Sequence, residues 1–361
     1  MKKLDWYILG KFLRSFFFTA LLFTLVAMVI DYSDKVEDFH DNKIPMDLII
    51  DMHYLPFIPY INSLLWPLYA LIAVIFFTSR MAYNSEIISI FNAGVSYYRF
   101  LMPYLIGAFF IACIHLVMTH YLVPVGNKKR VDFENFHLGK HSEKTKRNNI
   151  HLFLDDHTKV NIRYFNSSDT SAKDFRIERF EEGVLREMLL AQSAKYIDST
   201  NQWRLRDYTV RVFDKQSEQI YREELDILDT TLNLKPVDIF SFHNDKQKLT
   251  TPELTAYIDR QVQRKKGNIK EFVLEKHRRT TEPVTVIILT FIGVSIASRK
   301  VRGGMGLHLA MGTLIGALFI YVSRFSLMLT NSKNIPANIG IWLPNIIFAL
   351  VALWLVSRAQ K

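Results

Sequence analysis

The chain has 361 residues, of which 49% are hydrophobic and 22% are charged, and its formal net charge is +10. Such a charge would suggest a nucleic-acid partner in a soluble protein, but membrane topology explains part of the basic excess here, so no nucleic acid is expected. Cys113 is the only cysteine and lies in an apolar run, which excludes an intrachain disulfide and a cysteine-based metal site.

Six apolar runs approach or exceed the roughly 20 residues that a helix needs to cross a bilayer core. The runs cover residues 12–30, 54–78, 100–125, 284–298, 307–329 and 340–356. A long polar segment separates the third run from the fourth. The first run has no small-residue cleavage site after it, so it is predicted to remain as an anchor. The sequence therefore predicts an α-helical membrane protein with six transmembrane helices, three on either side of an inserted domain.

The basic residues are distributed unevenly over the loops. If the six helices alternate, one side of the membrane receives Lys2, Lys3, Lys11, Arg14, Arg80, Arg99, Arg299, Lys300, Arg302, Arg358 and Lys361. The loop between the first two runs is rich in acidic residues instead. Because loops rich in Lys and Arg stay in the cytoplasm, both termini are expected there and the inserted domain on the opposite side.

A short helix is predicted between the second and third runs, at residues 84–94. Ser85 is a typical N-terminal capping residue, and Gly94 is a typical stop. Ile87 and Phe91 would lie within this helix. A helix of this length cannot bury its apolar side alone, so it needs the membrane surface or another protein. The segment is therefore predicted to be a docking element.

Alternating apolar residues from residue 151 to residue 234 predict half-buried strands. Val160 and Ile162 follow this pattern, and the phase shifts by one between Leu205 and Tyr208, which predicts a bulge. An all-β sandwich or open jelly roll is expected. Its inner face could hold acyl chains through side chains such as Ile162, Tyr164, Leu205 and Val210, although core packing remains the other reading of these residues.

The period becomes helical after the predicted strands. Thr251 is the expected N-cap of one helix, which Gly267 is expected to end. A second, basic helical stretch is predicted to end before Pro283. Arg278 and Arg279 lie in this stretch, either as contacts for anionic headgroups or as a solvated helix end.

Sequence motifs for chemistry are absent. The chain contains no G-x-x-x-x-G-K-[ST] phosphate loop, no H-E-x-x-H zinc motif and no G-x-S-x-G nucleophile motif. His115 and His120 are five residues apart, a spacing that does not place both on one helical face for a metal site. The chain is therefore predicted not to be an enzyme and to bind no cofactor itself.

The sequence resembles the permease subunits of the lipopolysaccharide export ABC transporter, the LptF/LptG (YjgP/YjgQ) family. The resemblance spans the whole chain through the order and spacing of short motifs. These are Leu4-Asp5-Trp6-Tyr7, the loop from Ser85-Glu86 to Ala93-Gly94, His277-Arg278-Arg279 with Pro283, Arg302-Gly303-Gly304, and Trp342-Leu343-Pro344-Asn345.

The resemblance implies a multi-pass protein of the bacterial inner membrane that forms a heterodimer with a second homologous permease. A cytoplasmic ATPase dimer would bind ATP and Mg²⁺ and drive the export of lipopolysaccharide. The inserted domain would be a periplasmic β-jelly-roll-like domain that passes the lipid to a bridge of similar jelly rolls. The residues implied to couple to the ATPase are Asn84, Ser85, Glu86, Ile87, Phe91 and Gly94, with Glu86 contacting the ATPase and Ser85 capping the coupling helix.

Substrate contacts carry over less directly from the family. Family members often have basic residues at the outer end of the first helix, but this chain has Asp31 there, with Lys35 one turn later. Arg324 lies about 17 residues into the fifth run, roughly 26 Å from its start. Lipid exposure of Arg costs at least about 2.5 kcal/mol, so Arg324 is predicted to bind a lipid A phosphate, to pair with Asp31, or to reach the outer headgroups.

Four segments are predicted: transmembrane helices 1–3 with the coupling helix at residues 1–125, the β domain at 126–250, a periplasmic helical connector at 251–282, and transmembrane helices 4–6 at 283–361. Two other functions stay open. The chain could be a mechanotransmitting ABC membrane subunit that moves no substrate, or a membrane scaffold with a periplasmic binding domain.

Overall fold

The computed structural model describes residues 2–138, 146–155, 157–166, 169–213, 218–221, 227–232, 234–239, 245–263, 269–301, 303–332 and 335–359. The chain forms two units. The helical unit comprises residues 1–131, 247–251 and 270–361, and the sheet unit comprises residues 132–246 and 252–269. Arg302 and Gly267, which the sequence analysis singled out, lie outside the described residues.

The described helices are α1 (Lys3–Asp41), α2 (Met46–Ile49), α3 (Leu55–Tyr83), α4 (Glu86–Asn92), α5 (Tyr97–Val117), α6 (Val123–His137), α7 (Pro236–Ile239), α8 (Thr251–Gln263), α9 (Lys270–Ala297), α10 (Gly304–Ser332) and α11 (Ala337–Ala359). Two π-helical turns, Ile50–Tyr54 and Met118–Leu122, join α2 to α3 and α5 to α6.

Six helical stretches within the described residues are long and apolar enough to cross a membrane. They are Lys3–Asp41, Met46–Tyr83, Tyr97–His137, Lys270–Ala297, Gly304–Asn331 and Ala337–Arg358. Three of them precede the β strands and three follow. The chain is thus a helical membrane protein with an inserted β sheet, as predicted.

Helix α3 lies at the centre of the helical unit, where it packs against α1, α9 and α10. Gly293 of α9 allows a close approach to α3, because a Cβ atom at this position would overlap the Val74 side chain. The apolar faces of α1 and α10 remain largely exposed, including Phe18, Leu22 and Leu314. Exposed apolar surfaces of this extent require lipid or a protein partner.

Helix α9 continues through Pro283, so the predicted stop before this proline is wrong. Proline lacks the N–H group that would bond to the carbonyl four residues earlier, which here belongs to Arg279. The Thr119 hydroxyl lies 3.2 Å from this Arg279 carbonyl and 3.0 Å from the carbonyl of His115, so the two acceptors share its one proton. A donor from another helix therefore satisfies the freed acceptor, and the helix continues.

Two further prolines follow the same rule. His115 Nε2 donates to the carbonyl of Ser63, four residues before Pro67, at 3.0 Å. The Ser326 hydroxyl donates to the carbonyl of Gly340, four residues before Pro344. Proline-freed carbonyls thus form side-chain hydrogen bonds between helices at three places in the helical unit.

The sheet unit has an antiparallel sheet of β1 (Lys146–Phe153), β2 (Thr158–Asn166), β3 (Ser171–Glu181), β4 (Val184–Ile197), β5 (Gln202–Phe213), β6 (Glu218–Tyr221) and β7 (Ile227–Thr230). Strands β1 to β6 pair in chain order, and β7 pairs with the first part of β5. Trp203 is fully buried in the core of this unit, where it stacks on Phe175 and donates to the Leu234 carbonyl at 2.8 Å.

In each of the strands β2 to β5, the alternation of buried and exposed side chains shifts by one residue, and the four shifts lie side by side across the sheet. The buried pairs that flank these shifts are Ile162 and Phe165, Ala172 and Phe175, Ala191 and Ala194, and Leu205 and Tyr208. Asp174 and Asp207, at two of the shifts, have left-handed φ values of 51° and 50°. A bulge in β5 alone would change its pairing register with β4, but this register is continuous. The predicted bulge is therefore a shift in the buried side of the strand that neighbouring strands share.

The residues proposed to hold acyl chains belong to this sheet core or lie beside it. Ile162 and Leu205 are fully buried in the core cluster, and Val210 packs against it. Tyr164 is half-buried. The structure therefore supports core packing for these side chains.

Candidate coupling and substrate sites

The coupling segment, residues 84–94, contains the seven-residue helix α4. Gly94 has a φ of 81°, and its N–H donates to the Phe91 carbonyl at 2.9 Å, while the Val95 N–H donates to the Ile90 carbonyl at 3.4 Å. This pair of hydrogen bonds is a Schellman motif, which requires the left-handed backbone that glycine adopts readily. Gly94 therefore ends the helix as predicted.

One side of α4 is anchored in the helical unit. Ile87 is only 1% exposed and belongs to the helical core, and the half-buried Phe91 packs edge-on against Phe100 at 5.5 Å. Ile88 on the other side is 45% exposed. The helix is thus attached to the core by one side, and its other side is exposed.

Polar contacts hold the start of the coupling segment. The Tyr7 hydroxyl donates to Glu86 at 3.2 Å, and the Asn84 side chain donates to the other carboxylate oxygen at 3.3 Å. Lys300 Nζ donates to the Ser85 hydroxyl at 2.9 Å. Tyr7 and Lys300 were not predicted as site residues, because residues so distant in the chain meet only in the folded helical unit.

Ser85 occupies the N-cap position of α4, but its predicted capping role is wrong. An N-cap residue normally has an extended backbone that places its side chain over the first N–H groups. Ser85 has a left-handed φ of 61°, and its side chain makes no cap hydrogen bond to the part of the chain that the structure describes. Its hydroxyl accepts the Lys300 hydrogen bond instead.

Asp31, Lys35 and His53 form the Asp31 cluster. Lys35 Nζ lies 2.6 Å from one carboxylate oxygen of Asp31, and His53 Nε2 lies 2.7 Å from the other. The His53 side chain is fully buried and sits in the π-helical turn between α2 and α3. Such turns are frequent at functional sites. Sequence analysis missed His53, because an irregular turn places it against α1.

Glu275, Arg278, Arg279 and Glu282 form the Glu275 cluster on α9. Arg278 donates to both oxygens of Glu275 at 3.0 and 3.2 Å and to Glu282 at 3.0 Å. Arg279 donates to Glu275 at 3.3 Å and to Thr251 at 3.1 Å, and its side chain is only 3% exposed. Acidic partners three and four residues away therefore turn both arginines towards the protein. This geometry favours a structural role for Arg279 over a headgroup contact.

Arg324 is exposed on α10 and makes no hydrogen bond or ion pair with any residue that the structure describes. The pairing with Asp31 that the sequence left open is not observed among those residues, since Asp31 is bonded to Lys35 and His53. The N–H groups of the Arg324 guanidinium can therefore donate to a ligand, a partner or the membrane surface.

Comparison with known proteins adds two findings. The family model described as lipopolysaccharide export system permease LptF/LptG matches residues 6–358. The lipopolysaccharide export system permease protein LptG of Haemophilus influenzae is 22% identical to this chain over 298 residues, which cover 82% of each protein.

Proposed function

Because the chain belongs to the lipopolysaccharide export system permease LptF/LptG family, we propose that it extracts lipopolysaccharide from the inner membrane and passes it to a periplasmic jelly-roll bridge. A separate ATPase subunit would supply the energy, and this chain acts as a transport subunit. The family match over nearly the whole chain is the observation that carries this proposal. The six candidate spans and the inserted sheet support it.

All six candidate helices span the membrane in this proposal, three on each side of the sheet. Both termini are cytoplasmic, and the sheet unit is a periplasmic jelly-roll-like domain. The excess of Lys and Arg at the ends and loops assigned to the cytoplasm supports this orientation. The domain boundaries remain those proposed above, at residues 125, 250 and 282.

The second permease faces the exposed apolar surfaces of α1 and α10, and the lipid cavity lies between the two permeases. Within this cavity Arg324 binds a phosphate of lipid A, because its guanidinium is exposed and offers paired donors. Lys35 contributes a second cation when a phosphate replaces its bond to Asp31, which stays bonded to His53. Arg278 is partly exposed and can contact headgroups at the edge of the cavity.

The coupling segment docks on the cytoplasmic ATPase dimer, which holds ATP and Mg²⁺. Glu86 and the exposed Ile88 supply contacts with the partner, while Ile87 and Phe91 keep the helix attached to the permease. Asn84 and Ser85 hold the start of the segment through Glu86 and Lys300, and Gly94 ends the helix.

Copurification tests this proposal. The wild-type chain should bring down an ATPase and a second permease of the same family, and the Glu86→Arg variant should lose the ATPase because a basic side chain replaces the docking carboxylate. Glu37→Arg, the same charge reversal at an exposed position near the other end of α1, should keep it. Thermal unfolding of both variants checks that each remains folded.

A stable, active complex that carries Glu86→Arg would contradict the docking role. A wild-type chain that binds an ATPase but moves no lipopolysaccharide would favour a mechanotransmitting subunit. A wild-type chain that binds neither ATPase nor permease would favour a scaffold.

A further inference from the structure

The first turn of the coupling segment is hydrogen-bonded to two distant parts of the helical unit. Tyr7, near the start of α1, donates to Glu86, and Lys300, in the connection between α9 and α10, donates to Ser85. The two bonds therefore join one short segment to α1 and to the connection that leads into α10. Among the described candidate spans, α1 and α10 have the lowest buried share, 17% each.

Local interactions cannot fix the orientation of this segment. A seven-residue helix is far below the roughly 12 residues at which isolated helices become even marginally stable, so its direction depends on contacts with the rest of the protein. Ile87 and Phe91 attach the apolar side of the helix to the helical core, and further contacts are needed to hold its first turn. The Glu86 and Ser85 hydrogen bonds are those contacts.

Hydrogen bonds and an ion pair hold the start of α1 in place. Arg99 of α5 donates to Asp5 at 2.6 Å, and Asp5 also accepts from the Lys2 backbone N–H at 2.6 Å. The Asp5 side chain is only 5% exposed, which reduces the solvent screening of this ion pair. Tyr7 therefore projects from a helix end that an ion pair connects to α5.

We propose that Tyr7 and Lys300 are positioning residues that connect the coupling segment to both α1 and α10. When the ATPase moves the segment, the Tyr7 bond transmits the movement to α1 and the Lys300 bond transmits it to the connection before α10. Both helices then move together. This inference rests on the proposed function, since it names the residues through which the ATPase acts on the lipid cavity.

Reconstitution of the full transporter in proteoliposomes tests the inference. The measured quantity is the amount of fluorescent lipopolysaccharide extracted per ATP hydrolysed. Tyr7→Phe and Lys300→Gln should each lower this ratio by up to about fivefold, the factor that corresponds to a hydrogen bond worth about 1 kcal/mol. Copurification of the ATPase should persist, because neither side chain is assigned to the docking contact.

Matched controls make the same chemical changes at exposed positions without such bonds among the described residues. Tyr98→Phe on α5 and Lys3→Gln on α1 should leave the ratio unchanged. Ser85→Ala should lower the ratio as much as Lys300→Gln, and the double variant should lower it no further, because both changes remove the same hydrogen bond.

Three outcomes distinguish a failure of the proposed function from a failure of the positioning role. If the wild-type complex extracts no lipopolysaccharide, the proposed function is wrong. If the wild type is active and Tyr7→Phe and Lys300→Gln match their controls, the positioning role alone is wrong. If either variant loses the ATPase, its residue belongs to the docking contact, and the positioning role is again overturned.

Discussion

Arg324 is a charge on an otherwise apolar helix, and its environment determines what it can bind. The guanidinium is exposed on α10, close in the chain to the exposed aromatic side chains of Tyr321 and Phe325. Burial of a charge in lipid is costly unless a partner accepts its hydrogen bonds. A phosphate group of the transported lipid would be such a partner.

Removal of this charge should weaken the response to substrate. Arg324→Gln should raise by about ten- to a hundredfold the lipopolysaccharide concentration that gives half-maximal stimulation of ATP hydrolysis, since a charged hydrogen bond contributes about 1.5–3 kcal/mol. Arg14→Gln, at an exposed position on α1, is the control. An unchanged response in Arg324→Gln would place the guanidinium at the membrane surface instead of in the lipid cavity.

Sequence reasoning found some site residues and missed others for identifiable reasons. Asp31 and Lys35 are four residues apart, so their pairing follows from helix geometry alone. His53 reaches the same carboxylate only through a π-helical turn, which has no recognisable sequence signal here. The role of Ser85 was misassigned because residue type predicts a cap, whereas the backbone angle decides where the side chain points.

Proline-freed carbonyls accept three of the interhelical hydrogen bonds among the described residues. A proline reads as a helix stop in sequence, because the loss of its hydrogen bond is costly unless another donor is near. The donors at Arg279 and Ser63 come from side chains elsewhere in the helical unit, so only the folded structure reveals them. This is why the basic helical stretch was predicted to end before Pro283, whereas α9 continues to Ala297.

The Thr119 hydrogen bond should therefore stabilise the helical unit. Thr119→Val keeps the shape of the side chain but removes the donor to the Arg279 carbonyl, so the free energy of unfolding should fall by about 0.5–2 kcal/mol. Unfolding of the full-length protein in detergent measures the change. Thr313→Val is the matched control, because both hydroxyls contact the carbonyl four residues earlier on their own helix, and Thr119 additionally contacts the Arg279 carbonyl. Equal effects of the two changes would contradict the interhelical role.

The sheet shows how far strand patterns can be interpreted in isolation. The phase shift between Leu205 and Tyr208 was visible in the sequence, and so were most of the buried alternating residues. The cause of the phase shift was not visible in the sequence, because a bulge in one strand and a shift shared by several strands give the same pattern in that strand. Only the pairing of β4 with β5 shows that neighbouring strands shift together.

At the scale of the whole molecule, the chain combines a helical membrane unit with a sheet unit and contains no motif for nucleotide hydrolysis. The number of membrane-length helices and the inserted sheet could be predicted from hydropathy and alternation, because each depends on local composition. The interhelical tethers could not, because they depend on tertiary contacts. The central claim is that this chain moves lipopolysaccharide with energy from a separate ATPase.

Depletion of the protein in its source cells tests this claim most directly. Newly synthesised lipopolysaccharide is labelled, and its distribution between the inner and outer membranes is followed as the protein disappears. The account predicts that labelled lipopolysaccharide accumulates in the inner membrane, and that the wild-type gene restores its export whereas Glu86→Arg does not. Delivery of labelled lipopolysaccharide to the outer membrane at an undiminished rate after complete depletion would contradict it.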